Sequence, residues 1–195
     1  MLKSWPELTR KLLASFKVFD VVEVRRRSPR TGGDLGFFVI DTAEWVNVIA
    51  LTEDQRFVLV RQFRHGPARF TLEIPGGVIE EHETPLEAAA RELREETGFE
   101  AGKLRFLGTV NPNPAIFSNS CGTVLAAGCH RVGETQPDPG EDLEVVLMTR
   151  DELVAAIQGG EVDHALVLAA FVWLCISEKG LSEQGLAKKD PSAEE

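Results

Sequence analysis

Seven glutamates, Glu80, Glu81, Glu83, Glu87, Glu92, Glu95 and Glu96, fall within seventeen residues, and the arginines among them are only Arg91 and Arg94. Like charges one helical turn apart repel by roughly a few tenths of a kcal/mol per pair, so the crowding asks for a counter-charge. Divalent cations with oxygen ligands turn that repulsion into coordination. Glu92 and Glu96 are one turn apart and can grip the same metal cluster, with Glu95 beside them. The glycine pair Gly76-Gly77 permits a tight backbone excursion, and the Gly76 carbonyl is a candidate further oxygen ligand. Arg91 can hold a carboxylate, Glu83 among the choices, in a bidentate pair that fixes the loop against the helix. Metal clamped there stabilises charge on a pyrophosphate and lowers the pKa of a bound water, which suits in-line attack at phosphorus. Glu80 and Glu81 receive no role.

These residues need a helix that starts and stops at defined places. Thr84-Pro85-Leu86-Glu87 matches a capping box with proline at the first helical position, and Gly98 is a good stop. Leu86, Ala89, Ala90, Leu93 and Thr97 then fall on one face, with Glu92, Glu95 and Glu96 on a neighbouring stripe beside Ala88. Upstream, Trp5–Leu13 is expected to be a short helix with Pro6 in its first turn. Period-two alternation and apolar runs predict strands at Phe19–Arg27, Gly36–Asp41, Trp45–Leu51, Phe57–Gln62, Arg69–Ile74, Leu104–Val110, Gly122–Ala127 and Leu143–Met148. Helices at Arg150–Gln158 and His164–Ser177 close the chain. The organisation is an N-terminal helix and strand extension over 1–44, a main domain over 45–178, and a polar tail over 179–195.

A net charge of −10 argues against a nucleic-acid partner, because phosphate binding needs clustered Lys and Arg. The longest apolar stretch, Ala165–Ile176, is too short to span a bilayer and reads as a core helix, so no membrane partner is expected. Cys121, Cys129 and Cys175 lack C-x-x-C spacing and read as buried thiols in a reducing cytoplasm. MLKSWPELTRKLL lacks the apolar run of a signal peptide, which also points to the cytoplasm. His65, His82, His130 and His164 have no metal-ligand spacing and read as surface or helix-cap residues.

Written generally, Gly77–Phe99 is G-x5-E-x7-R-E-U-x-E-E-x-G-U, where U is bulky and apolar. Gly77, Glu83, Arg91, Glu92, Leu93, Glu95, Glu96, Gly98 and Phe99 fill every defined position. The chain thus resembles the Nudix hydrolases, and strand order and closing helices extend the likeness to about residue 178. The resemblance implies an α/β/α sandwich around a mixed central sheet, with an N-terminal antiparallel strand extension. It implies Mg²⁺ or Mn²⁺ as cofactor and a nucleoside diphosphate linked to another moiety as substrate.

Further segments are similar to the ADP-ribose pyrophosphatase branch. One is Pro114, sixteen residues beyond Gly98 in the loop Asn111-Pro112-Asn113-Pro114. Others are Leu59-Val60-Arg61-Gln62-Phe63-Arg64 and Leu72-Glu73-Ile74-Pro75-Gly76-Gly77. The branch implies that Arg64 contacts the diphosphate and that Glu73 lies beside the metal site, Arg61 being a second substrate candidate on the same ridge. Gly140-Glu141-Asp142-Leu143-Glu144 falls where the branch carries a mobile catalytic loop. Glu141 is the first choice for a base that deprotonates the attacking water, with Asp142 and Glu144 as alternatives. Phe117 is a candidate to pack a base or ribose. The loop Pro114–Cys121 departs from the branch in lacking a glycine and an acidic residue after the proline, which leaves room for other nucleotide sugars. The branch also implies a homodimer sharing N-terminal strands, here Phe19–Asp41. Other nucleotide classes and a non-catalytic nucleotide sensor are the competing readings.

Overall fold

Val22 and Val24 alternate with charged neighbours and are buried, so Asp20–Arg27 runs as a strand with one face inward. This β2 pairs antiparallel with β1 (Glu7–Ser15) and β3 (Asp34–Asp41) in a three-stranded sheet of order β1-β2-β3. The structure is a computed structural model that describes residues 2–137, 140 and 142–187, with side chains described through Lys179. Contacts divide it into two compact units. One runs to Glu44 and is joined by Asn111–Ser120; the other holds Trp45–Val110 and the chain from Cys121 onward.

In the first unit the expected helix at Trp5–Leu13 is instead strand β1. Its leucines are spaced for a helix, but almost every residue of the element is exposed, so a helix here would bury no stripe. Pairing with β2 satisfies the backbone instead, with Arg10 bonded to Asp41 and Arg26 to Glu7 at 2.9 and 2.8 Å. Local propensity is a weak prior against such non-local pairing. Loop Asn111–Ser120 lies along β3: Ile40 N–H donates to the Ile116 carbonyl at 2.7 Å, and Ser118 Oγ bonds Asp41 at 2.6 Å.

The second unit is an eight-stranded sheet. Its strands are β4 (Trp45–Thr52), β5 (Phe57–Arg64), β6 (Arg69–Glu73), β7 (Gly76–Val78), β8 (Phe99–Glu100), β9 (Lys103–Val110), β10 (Cys121–Arg131) and β11 (Leu143–Met148). The main path is β11-β5-β4-β10-β8, with β6 on β5, β7 on β4 and β9 on β10. β4 and β10 are parallel and the other pairs antiparallel, so the sheet is mixed.

β4 is nearly all apolar because both of its faces are covered. Val46, Val48 and Ala50 meet Ala88, Ala89 and Leu93 of α1 (Pro85–Thr97) on one side. Ile49 and Leu51, with Phe57 and Leu59, meet Leu153 and Ala156 of α2 (Arg150–Gly159) and Val167, Ala170 and Leu174 of α3 (Ala165–Ala187) on the other. The result is an α/β/α sandwich. Full burial of Leu93 alone contributes roughly 2 kcal/mol. Among the described residues no helix is long and apolar enough to cross a membrane.

Two expectations need correction. Cys121 and Cys129 are buried, but Cys175 is exposed, because α3 turns it away from the stripe of Val167, Ala170 and Leu174. On α1 the buried residues are Ala88, Ala89, Leu93, Glu96 and Thr97, so Ala88 joins the packed face, while Ala90 and Leu86, expected there, are exposed. The shift brings Glu96 to the edge of the core.

Candidate active site

The helix that carries the carboxylates is locked at both ends by its own residues. Thr84 N–H donates to the Glu87 carboxylate at 2.8 Å while Glu87 N–H donates back to Thr84 Oγ1 at 3.3 Å. At the far end Gly98 takes a left-handed φ of 72° and its N–H donates to the Arg94 carbonyl. A side chain at Gly98 would be strained there, which is why glycine ends the helix.

With the helix so fixed, Glu92 and Glu96 both turn onto strand β7. Glu96 is 3% exposed and accepts from the Gly76 N–H at 3.0 Å. Glu92 lies against Gly77, where a Cβ would stand 2.4 Å from its Oε1. Pro75 gives its carbonyl to Val48 of β4, so the next residue, Gly76, turns its N–H to the opposite edge. Its carbonyl shares that edge, toward the helix, because N–H and C=O of one strand residue point the same way.

Arg91 ties the remaining acids together. Its Nε and one terminal nitrogen donate to the two Glu83 oxygens at 2.8 and 2.9 Å, forming the bidentate pair, and it also bonds the Val78 carbonyl at 2.9 Å. Its other terminal nitrogen reaches Glu92 at 2.8 Å and Glu95 at 3.2 Å. Hydrogen bonds from Arg91, opposed by desolvation, pull the Glu83 carboxyl down to about 2. The same bonds, Glu83 foremost, raise the Arg91 guanidinium above its already high ordinary value, so it stays charged. Glu95 is more exposed than Glu92, at 44% against 13% of the side chain, and sits on the outer side of the stripe.

Among the described residues no three His, Cys, Asp or Glu side chains converge as a metal-binding group. The donors here are two carboxylates and a backbone carbonyl. That set fits a small hard cation, which keeps several waters and takes the rest of its shell from phosphate oxygens. The cradle is shaped for carboxylate: glycine at position 77 is what allows Glu92 its place.

The β5–β6 hairpin adds a second cluster. Arg64 donates from two nitrogens to the two Glu73 oxygens, each at 2.8 Å, and Thr71 Oγ1 donates to Glu73 at 2.7 Å. Burial pushes the Glu73 carboxyl up, but Arg64 and Thr71, with His164 nearby, outweigh it and hold the group below its ordinary value. Arg64 and Glu73 line a cavity of about 710 Å³ that also borders Gly76 and Gly77. Arg61 is not among its walls. Three residues from Arg64 on one strand, it stands on the opposite face and reaches Glu144 and Glu161 only at 3.8 and 3.9 Å, which corrects the expectation of a shared ridge.

Pro114 is exposed, and Phe117 forms a backbone bridge with Ile40, both within the first unit. Glu141 lies outside the described residues. Three features of the cavity wall had no sequence signal. Asn47 donates to the Leu166 carbonyl at 3.1 Å, Arg69 pairs with Asp163, and His164, which stands at the cap of α3 as expected with its carbonyl accepting from the Leu168 N–H, also lines the wall. Each depends on partners far away in sequence.

A mixed sheet between helices, with Glu92 and Glu96 of one helix turned onto a Gly-Gly strand and Arg91 holding Glu92 and Glu83, is the arrangement expected of a Nudix hydrolase. The chain belongs to the Nudix family, whose NUDIX domain model matches residues 42–171. It is 31% identical over 134 residues to an ADP-ribose pyrophosphatase of Bacillus subtilis (strain 168), covering 68% of this chain and 72% of that protein. It is 30% identical over 123 residues to an ADP-sugar pyrophosphatase of Mus musculus, covering 60% of this chain and 56% of that protein. The crystal structure of an ADP compounds hydrolase shares the fold with a TM-score of 0.82 at 24% identity, over 93% of this chain and 97% of that one.

Proposed function

We propose that this enzyme hydrolyses the pyrophosphate linkage of ADP-ribose or a related nucleoside diphosphate sugar, giving a nucleoside monophosphate and a sugar phosphate. The observation that carries the reading is the convergence of Glu92 and Glu96 on the Gly76–Gly77 strand, with Arg91 fixing Glu83 behind them. The names of the two curated relatives support the choice of substrate.

Glu92, Glu96 and the Gly76 carbonyl would hold Mg²⁺ or Mn²⁺, with Glu95 alongside. The bound ion supplies neutralisation of charge on the pyrophosphate oxygens and a more acidic water. Water oxygen bonds to one phosphorus as the bridging P–O bond breaks and the departing phosphate takes the electron pair. Arg64, steadied by Glu73, lies on the cavity wall where a planar fork of donors suits diphosphate oxygens. Glu141 serves as base, Pro114 and Phe117 serve the nucleoside end, and a homodimer forms through the N-terminal strands of this cytoplasmic protein.

The test is a hydrolysis panel of ADP-ribose, ADP-glucose, GDP-mannose, NADH, dinucleoside polyphosphates and oxidised nucleoside triphosphates, each with Mg²⁺ and with Mn²⁺. Fastest turnover of ADP-ribose, with AMP and ribose 5-phosphate as products, is the expected result. Faster turnover of a triphosphate would overturn the substrate, and no turnover of any compound would overturn the enzyme.

A further inference from the structure

His164 stands immediately before α3 and lines the cavity that holds Arg64 and Glu73 and borders the Gly76–Gly77 strand. Its Nδ1 is shut off from solvent and has no hydrogen-bond partner. In a neutral imidazole one nitrogen carries the proton and the other only accepts. A buried N–H without an acceptor is the rarer and costlier arrangement, which leaves the proton on Nε2. His164 and Glu73 share the wall of this one cavity.

The formal charges of the cavity cancel. Arg64 is bound by Glu73 through two hydrogen bonds of 2.8 Å, and Arg69 is bound by Asp163. Two cations against two carboxylates leave these lining side chains neutral in sum. The wall nevertheless carries donors and acceptors side by side, which suits a neutral group rich in hydroxyls.

We infer that His164 is a specificity-determining residue that donates from Nε2 to a hydroxyl of the uncharged sugar beyond the diphosphate. Resting on the diphosphate-sugar hydrolysis proposed above, the inference adds a residue that reads the sugar itself. His164 holds one end of the substrate and takes no part in breaking the P–O bond.

The experiment compares ADP-ribose with the β-methyl ester of ADP, which keeps the diphosphate and lacks the sugar. In His164→Ala the ratio of kcat/KM values, ADP-ribose over methyl ester, falls about tenfold, the worth of one good hydrogen bond. Calorimetric binding of both compounds in EDTA, without metal or turnover, shows the same change in ratio. His164→Gln, which regains an N–H donor, recovers part of it. His164→Phe keeps the ring's bulk without a donor and carries the same test if the alanine variant does not fold. An unchanged ratio, or equal losses on both compounds, overturns the role of His164. If the unsubstituted chain cleaves neither compound, the proposed function fails instead, and the metal-free binding ratio still decides for or against His164.

Discussion

Gly77 and Glu92 leave no space between them: a methyl group on the glycine would stand 2.4 Å from the glutamate Oε1. The requirement for glycine is close approach, since Gly77 is not among the glycines of positive φ. Gly77→Ala should therefore push the carboxylate out of the site. Turnover is expected to fall on the order of 100-fold, because small misplacements at a reacting centre cost that much. Stability should drop by only about 1 kcal/mol, as the atoms displaced end a flexible side chain. Gly76→Ala instead meets the Val46 backbone carbonyl at 2.3 Å, which cannot swing aside, and should cost about 3 kcal/mol or more. Urea unfolding of both variants, with kcat/KM, checks the ranking; the opposite order of stabilities would refute the packing described.

Glu96→Gln and Glu92→Gln remove charge while keeping size. The glutamine carbonyl oxygen at position 96 can still accept from the Gly76 N–H, so the fold should persist. Turnover should fall by roughly 100-fold or more, and Mg²⁺ should bind less tightly, since each change removes an oxygen anion from the cation's shell. Kinetics and metal titration read the two effects separately. Near-normal rates in either variant would remove that residue from the site.

The Arg91–Glu83 clamp predicts a pH response with a definite sign. The folded-state carboxyl is depressed from an ordinary 4.5 to about 2, so its stabilisation is complete above pH 4.5 and is lost as pH falls through about 2. An NMR titration of the Glu83 side-chain carboxyl should give a midpoint near 2, rising toward 4.5 in Arg91→Ala. A midpoint already near 4.5 in the unsubstituted chain would mean that the clamp does not form.

Arg64 and Arg61 should behave differently although they are three residues apart. Arg64→Ala strands Glu73, which is 2% exposed, without its cation. Breaking a buried pair costs about 3–5 kcal/mol, and with Arg64 itself 44% exposed a discounted figure of about 2 kcal/mol is expected. Arg61→Ala removes only two long, exposed contacts and should cost about 0.5 kcal/mol or less. Thermal unfolding distinguishes them, and equal losses would contradict the two-faced placement on β5.

The site was legible where its chemistry is local. Thr84, Glu87, Gly98 and the carboxylates at i and i+4 announce their helix and its working stripe, because capping and turn spacing act within a few residues. The fold class was legible through the resemblance, and the nearly all apolar β4, interrupted by Asn47 and ending at Thr52, fits a strand covered on both faces. Trp5–Leu13 misled because Pro6 suited the first turn of a helix while the deciding partner, β2, lies beyond a turn. Arg61 was misplaced although period-two alternation already separates it from Arg64. The Arg69–Asp163 pair spans 94 residues and Asn47–Leu166 spans 119, and neither leaves a local trace. Glu141 and its loop stay an expectation from resemblance.

The parallel pairing of β4 with β10 has a consequence for how the chain assembles. Trp45 meets Cys121 and Thr52 meets Cys129, so the central pair closes over more than 70 intervening residues. The first unit waits on the same stretch, since Ile40 finds Phe117 there. On a ribosome, neither unit can be completed until residues 111–131 have emerged. Distant pairings of this kind are slow to form and leave strand edges open in the meantime. The edge of β4 that β10 will cover stays open to other strands while β10 is still being made.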